Sequence, residues 1–295
     1  MMKVRVGVDL GGTKARIGVV DEAGQLLTLG DKIYVKDFKS AAVLVKALVR
    51  DVRQIFRANT QWELAGIGIG SPGPLDKSRR RVLNTPNLKI LAYFDLVEAF
   101  ASHFSEPVVM NNDANVFTLG EALYGAGRGM DVVYGMTLGT GFGNGLVYRG
   151  EIFDGAHGVA TEYGLAPYAE DVVEHYVSGR ALERYYQDFT NQKLVGAEIF
   201  KLAEGGDELA IRAFKLLGYH LGKALIPVVR LIDPKMMIIG GSLAAGFPWI
   251  YEAAWPILKE LLWDDQEDSL QLVPAKLGDA APVIGAAALI PGKPS

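Results

Sequence analysis

The sequence predicts an α/β protein of two domains built on a duplicated plan. Two segments and the chain length carry that expectation. From Val6 to Leu27 (VGVDLGGTKARIGVVDEAGQLL), short β-branched runs flank a turn at Gly11-Gly12-Thr13-Lys14 and another at Glu22-Ala23-Gly24, which reads as three strands joined by tight turns. From Val133 to Val147 (VYGMTLGTGFGNGLV) the same design returns around Gly139-Thr140-Gly141. At 295 residues the chain can bury a sizeable core, and two domains are the natural expectation.

The elements follow in order. After the first three strands, residues 40–58 space their apolar positions at a helical period through Val43, Leu44, Ala47, Leu48, Val52, Ile55 and Phe56. Residues 65–70 (AGIGIG) read as a buried strand with glycines where something approaches closely. Ser71-Pro72-Gly73-Pro74 reads as a loop, 95–103 as a helix, and 107–110 as a strand ending at Asn111. The second half is expected to open with a helix over 114–124, then a hairpin over 132–148. Helices are predicted over 170–188, 196–203 and 208–231, the last with a bend at Pro227. A strand over 236–239 meets a turn at Gly240-Gly241-Ser242, and a helix over 247–262 precedes a strand over 270–273. A last helix over 283–289 is expected to return to the first domain. The expected domains are 1–112 with about 283–295, and 113–282.

The Gly-rich turns carry the chemistry. Gly11 and Gly12 put no Cβ between backbone and ligand. Exposed N–H groups, the Thr13 hydroxyl and the Lys14 ammonium suit phosphate oxygens, and Asp9 would hold the Mg²⁺ that accompanies a nucleotide. A Walker loop needs Ser or Thr after its lysine, opening a helix, whereas Lys14 is followed by Ala15 and a strand. A dinucleotide fingerprint also needs a helix after its glycines. What remains is the actin-like, ribonuclease H-like phosphotransferase architecture, with a cleft between two domains.

Composition narrows the class. The chain is 49% hydrophobic and 22% charged, ordinary for a soluble globular protein. A net charge of −4 argues against nucleic acid as a partner. No apolar run reaches the length of a membrane span, and the start lacks the apolar region of a signal peptide. The sequence contains no cysteine, which excludes disulfides and thiolate metal sites. A cytoplasmic enzyme is the expectation.

Seven pieces in order then carry a resemblance: DLGGTK at 9–14, SPGPLD at 71–76, NTPNL at 84–88, NNDAN at 111–115, LGTGFGNGL at 138–146, GAHGVATEYG at 155–164 and DPKMMIIGGSL at 233–243. Over essentially its full length the chain resembles the ROK family of bacterial sugar kinases, which also contains repressors. The resemblance implies an ATP-dependent kinase that transfers the γ-phosphoryl group to a hydroxyl of a hexose or hexose-like sugar, as a homodimer. It implies that Asp113 is the base, a position at which Asp is also a favoured helix N-cap. It implies that Asn87, Asn112 and Glu162 contact the sugar, with Gly70 and Gly73 lining that pocket. Asn84 reads as a turn residue. Gly139, Thr140 and Gly141 would meet the phosphates opposite Gly11, Gly12 and Thr13, and Gly240, Gly241 and Ser242 would receive the adenosine.

The chain departs from the family in one region. Most relatives carry a zinc-binding histidine where Leu165 stands, completed by cysteines from a following loop. Here Glu162-Tyr163-Gly164-Leu165 runs into APYAEDVVEHYVSGRAL without a cysteine, and His175 alone cannot make a tetrahedral site. No structural zinc is expected. Leu165 can make no hydrogen bond to a sugar, so specificity would shift; His157 is a candidate to restore a polar contact, or else a turn residue at the entrance. His103 and His220 read as structural. Two alternatives stay open: polyphosphate as donor, for which Arg79-Arg80-Arg81 is the conspicuous basic run though it reads better as a solvated loop, and a non-catalytic sugar sensor.

Overall fold

The computed structural model describes residues 1–83 and 88–291, which fall into two compact units. The first contains residues 1–83, 88–128, 154–159 and 277–291, and the second 129–153 and 160–276.

In the first unit the Gly-rich turn joins β1 (Met2–Leu10) to β2 (Lys14–Asp21) in an antiparallel hairpin. Strands β3 (Leu26–Leu29) and β4 (Ile33–Tyr34) pair with β2. Helix α1 (Ala41–Ala58) starts at Ser40, whose Oγ accepts from the Val43 N–H, and buries Leu44, Val45, Leu48, Val49 and Val52. Strand β5 (Trp62–Ser71), helix α2 (Leu96–Ala101) and strand β6 (Val108–Asn112) follow, and α3 (Asp113–Tyr124) begins with no intervening loop. The sheet runs β3-β2-β1-β5-β6, with β1, β5 and β6 parallel.

The second unit repeats this plan. Strands β7 (Val132–Leu138) and β8 (Phe142–Tyr148) form the hairpin, and β9 (Glu151–Ile152) edges it. A small hairpin of β10 (Pro167–Tyr168) and β11 (Asp171–Val172) leads to α4 (Val173–Tyr176), α5 (Gly179–Thr190), α6 (Gly196–Glu204) and α7 (Glu208–Ile232). Strand β12 (Met236–Gly240), α8 (Phe247–Lys259), α9 (Asp264–Glu267) and β13 (Gln271–Pro274) complete it. Its sheet order, β13-β12-β7-β8-β9, matches the first: an edge strand, a hairpin, then two parallel strands.

The final helix, α10 (Ala281–Ala288), belongs to the first unit. It lies so close to the sheet that a Cβ at Gly7 would strike the Val283 carbonyl and one at Gly68 the Ala286 carbonyl. Gly285 in turn meets the Val116 carbonyl of α3. The other face of β1, through Val4, Val6, Val8 and Leu10, is buried in the core, so the strand is covered on both sides. Backbone, unlike a side-chain tip, cannot turn aside. Gly68→Ala is therefore expected to destabilise the chain by about 1–3 kcal/mol. A thermal melt reads this directly, and an unchanged midpoint would mean that α10 is not seated there.

The elements depart from expectation in three places. The helix predicted over 170–188 is two helices, because Ser178 is extended and its Oγ accepts from the Ala181 N–H, so it caps a new start. Strand β6 extends to Asn112 and begins after Pro107. Helix α3, expected to open the second domain, packs on α10 within the first unit, where Gly120 and Gly285 let the two backbones approach.

Candidate active site

In the first unit the parallel strands end side by side. Register places Asp9 opposite Gly70, Gly70 opposite Asn111, and Ser71 opposite Asn112. Ligands in open α/β sheets gather beyond the carboxyl ends of parallel strands, and these residues stand there. The turn beside them is closed by Gly11 N–H donating to the Lys14 carbonyl at 2.8 Å, and Val35 N–H donates to the Thr13 carbonyl at 3.0 Å. Thr13 and Lys14 are exposed. Gly73 follows in the loop after β5. Gly70 is buried and has a second use, since a Cβ there would press on the Val116 side chain.

Two carboxylates face this end of the sheet. Burial pushes the Asp9 carboxyl up to about 6; the charge of Asp113 acts in the same direction, and Lys14 and Arg16 pull the other way. Burial also raises the Asp113 carboxyl, outweighing the hydrogen bond it accepts from the Ala114 N–H at 2.9 Å. Two neighbouring carboxylates that resist ionisation together are a poor arrangement for an empty site and a good one for a bound dication. The residues present thus fit Mg²⁺.

The capping question at this junction has a clear answer. Asn112 is the N-cap of α3, and its side-chain oxygen accepts from the Ala114 N–H at 2.9 Å. The sequence assigns Asn112 to the sugar and Asp113 to the base, with the helix cap as a second role open to Asp113. The structure puts the cap on Asn112 and leaves Asp113 as the first residue of the helix. Two further residues, not singled out from sequence, organise the junction. Asn111 is buried, and its Oδ1 accepts from the Asn112 N–H at 2.7 Å and from Asn115 Nδ2 at 3.1 Å. Its Nδ2 donates to Asp154 at 3.4 Å, and Asp154 also pairs with Arg79. This network anchors the segment 154–159, which carries the exposed His157, beside the end of β6. The doubled asparagine before Asp113 was the available signal, because buried amides next to an acid need partners.

Arg79-Arg80-Arg81 lies in a loop, with the Arg80 and Arg81 side chains 40% and 53% exposed, and its cations are paired. Arg80 pairs with Asp95 at 3.1 Å and Glu98 at 2.8 Å, Arg81 lies 3.6 Å from Asp95, and Arg79 holds Asp154. Acids distant in sequence neutralise the run, so it offers no open basic groove. Asn84 and Asn87 lie outside the described residues.

The second unit carries its own cluster. Gly139-Thr140-Gly141 turns between β7 and β8, with Gly139 N–H donating to the Gly141 carbonyl at 3.1 Å. Gly179 N–H at the start of α5 donates to the Gly139 carbonyl at 2.6 Å. Glu174 Oε2 accepts from the Phe142 N–H at 2.9 Å and fills the space that a Cβ on Gly141 would take. After β12, Gly241 has φ of +84° and sits against the Leu138 carbonyl, which also accepts from the Leu243 N–H at 3.0 Å. A side chain at Gly241 is thus barred twice, by conformation and by space. Gly240 is buried while Gly241 and Ser242 are exposed, so both Gly-rich turns of this unit lie together at the end of its central strands.

Glu162 is exposed and immediately precedes a single helical turn, Tyr163–Leu165. Thr161 Oγ1 donates to the Asn144 carbonyl at 3.0 Å, and Gly164 lets the Phe142 carbonyl approach within 2.6 Å of a Cβ position. Behind it, Tyr163 Oη donates to the Ala224 carbonyl at 2.5 Å. Leu165 is exposed. The segment that follows is held by rings: Tyr168 Oη meets His220 Nδ1 at 3.1 Å, and Tyr176 and Tyr185 pack on the same imidazole. Burial lowers the pKa of His220, which keeps the imidazole neutral. His175 pairs with Asp171 at 3.2 Å. Among the described residues no group of His, Cys, Asp or Glu is arranged to hold a metal ion by itself, and no helix is long and apolar enough to cross a membrane.

Twin sheets of this order, each with a Gly-rich hairpin, and in the first an acid, Asp9, near the end of the leading strand, define the actin-like class of phosphotransferases, here of the sugar-kinase kind. The model of the ROK family matches residues 5–293, and the chain belongs to that family. It is 30% identical to a glucokinase of Streptomyces coelicolor over 98% of both chains. It is 32% identical to an N-acetyl-D-glucosamine kinase of Pectobacterium carotovorum over 96% of this chain and 97% of the other. A solved ROK family glucokinase from Streptomyces griseus, in complex with glucose and AMPPNP, superposes with a TM-score of 0.81 at 30% identity, covering 97% of this chain and 99% of that one.

Proposed function

We propose that this sugar kinase transfers the γ-phosphoryl group of ATP to a hydroxyl of a hexose or N-acetylhexosamine, with Asp113 as the base. The observation that carries the reading is the carboxylate pair at the strand ends: Asp9 raised to about 6 with Asp113 beside it, next to a phosphate-suited turn. Relatives that act on glucose and N-acetyl-D-glucosamine supply the sugar class.

In this reading Asp113 accepts the proton of the attacking hydroxyl, and its raised pKa makes it a better base than an ordinary carboxylate. Lys14, Thr13 and the N–H groups of Gly11 and Gly12 receive donor phosphate, as do Gly139, Thr140 and Gly141. Gly240, Gly241 and Ser242 leave room for the adenosine. Glu162, Asn87 and His157 are assigned to the sugar hydroxyls, and Gly70 and Gly73 to the backbone lining of the sugar pocket. Asn112 supports the helix start from which Asp113 acts. Mg²⁺ near Asp9, when bound, neutralises phosphate charge. Cytoplasmic residence and a homodimer belong to the same proposal.

A coupled ADP-release assay with Mg·ATP across hexoses, amino sugars, ketoses and cyclitols tests it. Turnover with a hexose or hexosamine is the expected result; silence with ATP and turnover with polyphosphate would contradict the donor. Zinc makes a second test. The Tyr168–His220 cluster holds the segment after Glu162 by packing, so the purified chain is expected to contain no stoichiometric zinc and to melt unchanged in EDTA. One zinc per chain by elemental analysis would contradict that.

A further inference from the structure

The outer face of α1 assembles a charge pattern that the folding of the chain leaves unanswered. Lys46, Arg50, Arg53 and Arg57 follow one another at spacings of four, three and four residues, which sets them along one side of the helix. They line a groove of about 270 Å³ together with Val49 and, from the turn after α2, His103. Like charges at this spacing destabilise a helix, and the chain as a whole is acidic, with a net charge of −4. Among the described residues one acid answers them: Asp51 accepts from Arg50 Nε at 3.2 Å. Lys46, Arg53 and Arg57 make no ion pair among the described residues. Arg53 is held in place, with one amino group donating to the His103 carbonyl at 3.1 Å and its guanidinium over the Phe104 ring at 5.8 Å.

The three arginines of Arg79–Arg81 show what this chain does with cations that serve structure: it gives them carboxylates. The α1 cations are left open, and one of them is fixed by neutral contacts that do not use up its charge. Guanidinium groups match phosphate oxygens in forked geometry. The groove is too small for a nucleic-acid duplex. Phe104, the aromatic ring at its edge, is covered by Arg53 and offers no platform for stacking a base.

We propose that this groove is a second anion site, which binds a compact ligand carrying two or more linked phosphate groups. Its lining shares no residue with the Gly11–Lys14 turn, and the proposal rests on its own geometry, not on the transfer reaction.

Calorimetric titration with inorganic tripolyphosphate, in metal-free buffer at low ionic strength, tests the site on the full chain. The expected result is binding that weakens by roughly tenfold or more in an Arg50→Ser/Arg57→Ser variant, since two charge-assisted contacts are lost. Arg50→Lys/Arg57→Lys should keep most of the affinity by keeping the charge. Lys14→Ala, which alters the hairpin turn, should leave this binding in place. Both arginines are exposed, and an unchanged thermal melt shows that the fold survives their replacement. Equal affinity in the wild type and the Ser variant overturns the proposal, as does binding that Lys14→Ala alone removes. A short single-stranded oligonucleotide that displaces tripolyphosphate at lower phosphate concentration also overturns it, and makes the groove a nucleic-acid surface.

Discussion

Asp113→Asn is expected to lower kcat with the best sugar by about 10²- to 10⁴-fold, the range for loss of a positioned general base. The change is nearly isosteric, and the asparagine oxygen can still accept from the Ala114 N–H as the carboxylate does. Asn112 remains as the cap of α3, so the helix start is kept. Sugar affinity should therefore stay within about tenfold, a loss confined to the chemical step. Steady-state kinetics with a direct binding measurement separate the two effects. Equal losses in affinity and turnover would show Asp113 to be a binding residue.

Asp9→Asn should move stability and activity in opposite directions. The folded pKa of Asp9 is about 6, above the 3.8 of an unperturbed aspartate. The folded chain therefore holds this proton more tightly than the unfolded one. The stability cost of ionising Asp9 is absent below about pH 4, grows between the two values, and is complete above about pH 6. Removing the carboxylate should raise the melting temperature of the ligand-free chain by a few degrees at pH 7.5, and the gain should shrink toward pH 4. Activity with Mg·ATP should fall steeply, because the group that fits the dication is gone. In the wild type, kcat/KM should decline on the acid side near pH 6. Asp9 and Asp113 interact, so that limb reports the pair and not one residue. A variant that melts lower at pH 7.5, or retains full activity, would contradict this account of the site.

Much of this was legible in the sequence because the informative residues are local. Each Gly-rich turn is short, flanked by β-branched runs, and folds as the hairpin expected of it. The duplicated plan was visible from those two segments, and the sheet orders bear it out. What escaped depends on contacts between distant positions. Nothing near Arg80 in sequence announces Asp95 and Glu98 as its partners, so the ion pairing of this exposed run is invisible in the sequence. Asn111 looked like filler before Asp113 until Asp154, far along the chain, met it. The affiliation of α3 was misjudged for the same reason: it follows from glycine contacts with α10, which is separated from it by the whole second unit. The break at Ser178 was a local signal, a serine before a helical run, overridden by the apolar period around it. The stripe on α1 is periodic and could have been found, but a run of adjacent arginines draws the eye before a stripe at helical spacing does.

The central claim is that Asp113 serves the transfer of phosphate from ATP to a hexose-type sugar. Mass spectrometry of the sugar after incubation with Mg·ATP tests it most directly, with wild type and Asp113→Asn side by side. The account predicts a sugar heavier by one phosphoryl group with the wild type and almost none with the variant in the same time. Equal product from both enzymes, or ATP consumed with no phosphorylated sugar, would contradict it.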